Sequence, residues 1–334
     1  MSLANKYRPQ RFDDIVEQSH IMPIFKAHVA NNLTQTNYLL YGPRWTWKTS
    51  SARLLARWMN CLNPQDGNPC NECVNCLQII NGTTMDIVEI DAASHTWVDN
   101  IREEILDRAM YAPSVLKKKV YIIDEVHMLS KWAFNALLKI MEEPQDYVCF
   151  ILATTEIHKI PDTIMSRCQV FNFWRVALQP MIQRLAYIAQ QENIHTEEAW
   201  LALIAKLSAG GMRDAIKYLD QVRVLWDVTE KHVSEFLWVV SDARIQEFVE
   251  LLAWYVQKKI QYETVASFLG ALQTSGIDMY QCAKDILIWI HEHFMDQPDV
   301  YARIADNIKD IMKDMKRYPE PVMAYKTVLL QELK

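Results

Sequence analysis

The segment 37-NYLLYGPRWTWKTSSARLLARWMN-60 decides the fold. Tyr38 to Tyr41 is a short apolar run of β-type residues that ends on Gly42-Pro43. Thr49 to Asn60 then places Ala52, Leu55, Ala56 and Met59 at helical spacing. A strand, a glycine-led loop, Lys-Thr and a helix in that order are the setting in which a loop cradles phosphate groups. Backbone N–H groups and the helix N-terminus supply the anion site. The intact motif has glycine at its first and sixth positions. Gly42 fills the first, but Trp47 stands at the sixth. Gly42, Pro43, Arg44, Trp45, Thr46, Trp47, Lys48, Thr49 and Ser50 are therefore the candidate nucleotide loop. Lys48 is placed to reach the β- and γ-phosphates, and Thr49 to hold Mg²⁺. The competing reading is an ordinary strand-turn-helix that carries Lys-Thr by chance.

Three further apolar runs follow. They are Asp86 to Ile90, Val120 to Ile123 and Val148 to Ala153. Helical patterns at Val98 to Met110 and Ala133 to Glu142, the second stopped by Pro144, separate them. Short all-apolar strands alternating with helices predict an α/β fold with a parallel sheet covered on both faces. The second run leads into Asp124-Glu125. Acids at the carboxyl end of such a strand face the ligand crevice. Asp124 is thus a candidate Mg²⁺ residue, and Glu125 a candidate to polarise an attacking water. After about residue 176 only helical spacing is found, as in Ile245, Phe248, Leu251 and Leu252.

Cys61, Cys70, Cys73 and Cys76 have the spacing C-x8-C-x2-C-x2-C. Four thiolates suit a closed tetrahedral zinc site with a structural role. Cys149, Cys168 and Cys282 read as incidental or buried cysteines. Arg167, about a dozen residues beyond the third apolar run, is placed to reach a neighbouring subunit's phosphate. The competing reading is a surface arginine. Arg213 follows the helix break Gly210-Gly211, and either approaches the phosphates from a second domain or pairs with Asp214 at the surface.

The chain has 334 residues, enough for two or three domains. A net charge of −6 argues against a surface that grips nucleic acid along its whole extent. Neither a long apolar run nor a leader pattern occurs, so a cytoplasmic protein without membrane contact is expected.

Together these residues resemble the gamma/tau clamp-loader subunits of bacterial DNA polymerase III. The matching stretches are KYRPQRFDDIV (6–16), the loop and helix at 42–61, the cysteine cluster, EIDAASHTWVDNIRE (89–103), YIIDEVHMLSKWAFNALLKIMEEP (121–144), FILATTE (150–156), SRCQVF (166–171) and LSAGGMRDA (207–215). The resemblance implies an AAA+ nucleotide-binding domain at 1–176 with a zinc module at about 61–76. A three-helix lid at 177–240 and an all-α collar at 241–334 would follow. It implies ATP, Mg²⁺ and Zn²⁺ as cofactors. It implies as partners the other subunits of a pentameric loader, a sliding clamp and primer-template DNA. In that family Thr155 matches the sensor-1 position, Arg167 the arginine finger and Arg213 the sensor-2 position, while residues Lys6 to Pro9 lie near the adenine. The resemblance implies that the chain ends after the collar, without the extension of the longer tau form.

One departure from the family is systematic. Glycine is expected where Trp45, Trp47, Trp97, Trp132 and Trp238 stand, and also at Trp58 and Trp226. The chain holds only 7 glycines but 11 tryptophans. One reading is that the source decodes UGA as glycine where the written sequence has tryptophan. The other takes the indoles as real, in a structural loader subunit that does not hydrolyse ATP. A third function, an AAA+ branch-migration motor, predicts a C-terminal winged helix, which residues 241–334 do not resemble.

Overall fold

The computed structural model describes residues 2–30, 37–94, 109–143, 145–223, 242–274, 278–318 and 320–331. They form two compact units, Met1–Arg223 and Val224–Lys334.

The first unit is built on five parallel strands. These are β1 (Asn37–Tyr41), β2 (Ile87–Asp91), β3 (Lys119–Asp124), β4 (Val148–Thr154) and β5 (Gln169–Asn172), in the order β2-β3-β4-β1-β5. All residues of β4 are buried, as a central strand covered on both faces requires. In register, Tyr41 pairs with Thr154 and Asp91 with Asp124, so the strand ends that carry the candidate residues lie along one edge of the sheet. The apolar runs at 86–90, 120–123 and 148–153 are these strands. β5 was not foreseen. It has four residues, and only Phe171 among them is buried.

Helices α1 (Leu3–Lys6) and α2 (Met22–Ala30) precede β1. The predicted helix after the loop is α3 (Lys48–Met59), which buries Ala52, Leu54, Leu55 and Ala56. α4 (Val74–Asn81) lies inside the cysteine segment, capped by the Cys73 sulfur accepting from the Cys76 N–H. α5 (Lys131–Glu142) begins at Ser130, whose hydroxyl caps it, and buries Ala133, Phe134, Leu137 and Met141. The predicted helix at 98–110 and the stop at Pro144 lie outside the described residues, apart from Ala109 and Met110. Asp86, just before β2, is buried and accepts N–H bonds from Ser114, Val115 and Leu116 at 2.8, 2.8 and 2.9 Å. One carboxylate thus ties the approach to β3 onto β2.

Beyond β4 come α6 (Asp162–Met165) and three helices, α7 (Leu178–Gln191), α8 (Glu198–Leu207) and α9 (Met212–Val222). Met181, Leu185 and Ile188 of α7, Ile204 of α8 and Ile216 and Leu219 of α9 are buried stripes at helical spacing. The N-terminus joins this part of the unit. The Leu3 N–H donates to Asp220 at 3.1 Å, and Lys6 pairs with Glu192.

The second unit contains α10 (Asp242–Val256), α11 (Tyr262–Thr274), α12 (Met279–Glu292), α13 (Pro298–Asp314) and α14 (Pro321–Gln331). Its core includes Ile245, Phe248, Leu252, Leu269, Ile286, Ile308 and Tyr325. The Tyr325 hydroxyl, deep in that core, donates to the Met279 carbonyl at 3.1 Å. Among the described residues, no helix is long and apolar enough to cross a membrane.

Candidate nucleotide site

Parallel pairing sets the loop after β1 beside the ends of β3 and β4. The Gly42 N–H donates to the Thr154 carbonyl at 3.2 Å, which anchors the start of the loop. Gly42 has φ +152°, and a Cβ there would lie 2.3 Å from the Phe173 carbonyl oxygen, so only glycine fits. The loop closes with the Thr46 hydroxyl donating to the Pro43 carbonyl at 2.8 Å.

A cavity of about 590 Å³ opens at this edge of the sheet. Arg44, Trp45, Thr46, Trp47, Lys48, Thr49 and Ser50 of the loop line it, together with Asp124, Glu125 and Arg213. Residues from separate stretches of the sequence, the loop, the end of β3 and the start of α9, therefore meet where the loop reading places phosphate groups. Ala4, Arg53, Glu89 and Asp91 also line the cavity and were not foreseen as site residues. Arg53 lies one helical turn after Thr49 and pairs with Glu89. Its signal in the sequence was only that spacing. Arg8 belongs to the stretch expected near the adenine, and it does reach the cavity.

Lys48 is turned inward. Its Nζ donates to the carbonyls of Gly42 at 2.9 Å and Pro43 at 2.6 Å. Burial pulls its pKa down to about 8, against the opposing pull of Asp124 and Glu125. A buried ammonium held by two carbonyls lacks a full counter-charge, and an incoming phosphate would supply one. The Thr49 hydroxyl donates to Asp124 at 2.6 Å, and the other Asp124 oxygen accepts from the Glu125 N–H at 2.9 Å. A hydroxyl and a carboxylate in contact at the edge of a phosphate-sized cavity are the oxygen donors Mg²⁺ takes. Glu125 has φ +47°, which turns its side chain back toward β4, where the Thr155 hydroxyl donates to it at 3.2 Å.

Arg213, at the start of α9, sits with its guanidinium 4.7 Å from the centre of the Trp45 ring. Arg167 is not in this cavity. It donates to Glu142 at 2.9 Å and to the Thr163 carbonyl at 2.8 Å.

Both indoles of the loop are strained. Trp45 has φ +63° and Trp47 φ +74°, the left-handed region that favours glycine. The Trp47 Nε1 is buried without a hydrogen-bond partner. Trp58 and Trp132 lie in helices without positive φ, so the backbone there places no demand for glycine. Trp97, Trp226 and Trp238 lie outside the described residues.

The sulfur atoms of Cys61, Cys70, Cys73 and Cys76 all lie within 4.8 Å of one another. Cys61 and Cys70 are 3.4 Å apart, and Cys70 and Cys76 3.9 Å. Four sulfurs around one zinc at its usual bond length stand about 3.8 Å apart, so the set fits that ion. Backbone N–H groups of Cys70, Cys73 and Cys76 donate to neighbouring sulfurs, as thiolates require. Burial works against ionising Cys73, yet N–H groups of Leu62 and Cys76 and neighbouring thiols bring its pKa down to about 6.

Comparison with known proteins agrees with this geometry. Residues 17–177 match the family described as DNA polymerase III, delta subunit. Residues 181–222 match the DNA polymerase III clamp loader subunit, ATPase lid domain. The chain is 39% identical to DNA polymerase III subunit tau of Bacillus subtilis, over 83% of this chain and 54% of that one. It is 36% identical to subunit tau of Escherichia coli, over 98% of this chain and 51% of that one. Against subunit gamma of Buchnera aphidicola it is 38% identical, over 90% of this chain and 83% of that one. The chain thus spans about half the length of the tau relatives. Among solved structures, the Thermotoga maritima RuvB Holliday junction branch migration motor superposes with a TM-score of 0.51 at 17% identity, covering 81% of this chain and 86% of that one. At that identity the likeness is one of fold.

Proposed function

The chain belongs to the gamma/tau family of DNA polymerase III clamp-loader subunits, and from this premise we propose that it is an ATP-hydrolysing subunit that helps load a sliding clamp onto primed DNA. The observation that carries the proposal is the meeting of Lys48, Thr49, Asp124, Glu125 and Arg213 around one cavity. ATP would lie there with Lys48 on its outer phosphates and Mg²⁺ held through Thr49 and Asp124. Glu125, oriented by Thr155, would polarise the attacking water, and Arg213 would close on the phosphates from the lid.

Arg167 would act on the nucleotide of a neighbouring subunit, which agrees with its absence from the lining of this chain's own cavity. The division into a nucleotide domain (1–176), a lid (177–240) and an oligomerising collar (241–334) belongs to the same proposal. So do a pentameric assembly with other loader subunits, a cytoplasmic location and a structural Zn²⁺ on the four cysteines. Hydrolysis further calls for glycine at positions 45 and 47 in the natural protein, decoded from UGA. Left-handed backbone at both positions supports that reading.

Reconstitution tests the proposal. The chain is combined with its own organism's other loader subunits, clamp and primed circular DNA, and clamp retention is measured. ATP-dependent loading that Lys48→Ala abolishes is expected. Loading that needs no ATP, or that survives Lys48→Ala, overturns it.

A second reading is a structural loader subunit that does not turn over ATP. Trp47 buried in the loop and Lys48 folded onto the Gly42 and Pro43 carbonyls favour it. It predicts normal assembly without ATP turnover at this site. A branch-migration motor has only the fold likeness in its favour, and the described residues of the second unit carry helices alone.

A further inference from the structure

His127 follows the acidic pair of β3 by two residues and has no part in the site described above. Its side chain is only 6% exposed. Each ring nitrogen faces a different partner. Nδ1 lies 3.0 Å from the Thr154 hydroxyl and 3.4 Å from a Glu125 carboxylate oxygen. Nε2 lies 3.3 Å from a Glu156 carboxylate oxygen. The ring therefore stands between two carboxylates, one on each nitrogen side. The Thr154 hydroxyl oxygen also accepts the Glu156 N–H at 3.0 Å, which fixes the backbone just beyond β4. The Glu125 oxygen that faces His127 is the one to which Thr155 donates. One imidazole thus stands between the carboxylate proposed to polarise water and the first residues after β4.

Those residues lead directly to Arg167. Glu156 pairs with Lys159 at 2.9 Å, the Ile160 N–H donates to Ile157, and α6 starts at Asp162. The Arg167 side chain is tied back onto the Thr163 carbonyl in α6. Segment 156–167 is therefore a short hydrogen-bonded piece of chain. Its first residue touches His127, and its last residue does not line this chain's own cavity.

We propose that His127 is a positioning residue that couples the Glu125 carboxylate, through Glu156, to the segment carrying Arg167. The inference rests on the hydrolysis reading above. Engagement of Arg167 by a neighbouring subunit would shift segment 156–167, and His127 would transmit that shift to the orientation of Glu125. The two nitrogens have separable stand-ins. An Asn side chain reproduces the reach of Nδ1, and a Gln side chain approximates that of Nε2.

The test measures steady-state ATP turnover by the assembled loader, with kcat and KM resolved, for the unaltered chain, His127→Asn, His127→Gln and Glu156→Gln. A positioning role lowers kcat by about tenfold in His127→Asn while KM stays within about threefold. Glu156→Gln lowers kcat in the same way. The double variant His127→Asn/Glu156→Gln is no worse than His127→Asn alone, because coupled residues are non-additive. His127→Gln, which keeps the reach toward Glu156, retains more kcat than His127→Asn. Multiplicative effects in the double variant, or a His127→Gln enzyme slower than His127→Asn, overturn the coupling. An unchanged kcat in His127→Asn also overturns it. A loader in which the unaltered chain hydrolyses nothing overturns the hydrolysis reading first, and this inference with it.

Discussion

Replacing Trp47 by glycine separates what the indole does for the fold from what it does to the site. The native backbone at this position has φ +74°, which costs a residue with a Cβ roughly 1–2 kcal/mol. The buried indole N–H without a partner adds a penalty of about 1–3 kcal/mol. Glycine removes both. Against that, the side chain is 93% buried, taking its 7% exposure, and truncating a core tryptophan costs about 3–5 kcal/mol. Glycine also costs roughly 0.5–1 kcal/mol in lost chain entropy. Taken at their midpoints, these opposed contributions leave a net loss of about 1 kcal/mol. Trp47→Gly is therefore expected to shift the melting temperature by only a few degrees, about 2–4 °C per kcal/mol in a chain of this size. Its larger effect falls on the ligand. With the indole gone, the N–H groups of the loop can close on phosphate, and affinity for a fluorescent ATP analogue should rise at least about tenfold. Melting followed by circular dichroism and an equilibrium titration with the analogue supply both numbers. Unchanged or weaker nucleotide binding, or a stability loss above about 4 kcal/mol, would show that Trp47 is a built core residue and refute the reasoning.

Three other outcomes follow from the same geometry. Lys48, held near pH 8 by burial against an ordinary value of 10.5, makes the folded chain hold fewer protons than the unfolded chain between those values, so its contribution to stability rises with pH across that window. Phosphate binding restores the charge, and calorimetry at pH 8 in two buffers of different ionisation enthalpy should find uptake of about half a proton, lost in Lys48→Met. Asp86 accepts three backbone N–H bonds that outweigh the effect of burial and hold its carboxyl below the usual range, so stability is present above that range and falls as pH drops through the native value. Asp86→Asn should cost about 1–3 kcal/mol in urea unfolding at pH 7, and a difference near zero would show that the 114–116 turn stands without it. Cys73→Ser should release about one zinc per chain, measured by a colorimetric chelator, and lower the melting temperature while nucleotide affinity stays within about threefold, since neither Cys73 nor α4 contributes a residue to the cavity lining. Full zinc retention would remove Cys73 from the ligand set.

The sheet was legible because its inner strands carry unbroken apolar runs, as in 148–153, and each is followed by a turn signal or an acid. β5 was not, because Gln169 to Asn172 is an edge strand with one buried side chain and no run to detect. α4 was hidden for a related reason. Its start is set by a cysteine cap, and Val74, Leu77 and Ile80 point outward, so no core stripe marks it. Within the site, Lys48, Thr49, Asp124 and Glu125 were legible because each sits at the end of a strand or the start of a helix. Arg53 reaches the cavity from α3 and Glu89 and Asp91 reach it from β2, and only the register of β2 on β3 brings Asp91 beside Asp124. The role of His127 depends on Glu156, 29 positions away, which meets it only because β3 and β4 pair.

Peptide mapping by mass spectrometry of the protein isolated from its own source cells, across residues 42–61, tests most directly whether the loop is built to hydrolyse ATP. Glycine at positions 45 and 47 is the predicted result, and it would match the left-handed backbone at both positions. Tryptophan at both would contradict the ATPase reading and leave a structural member of the loader in its place.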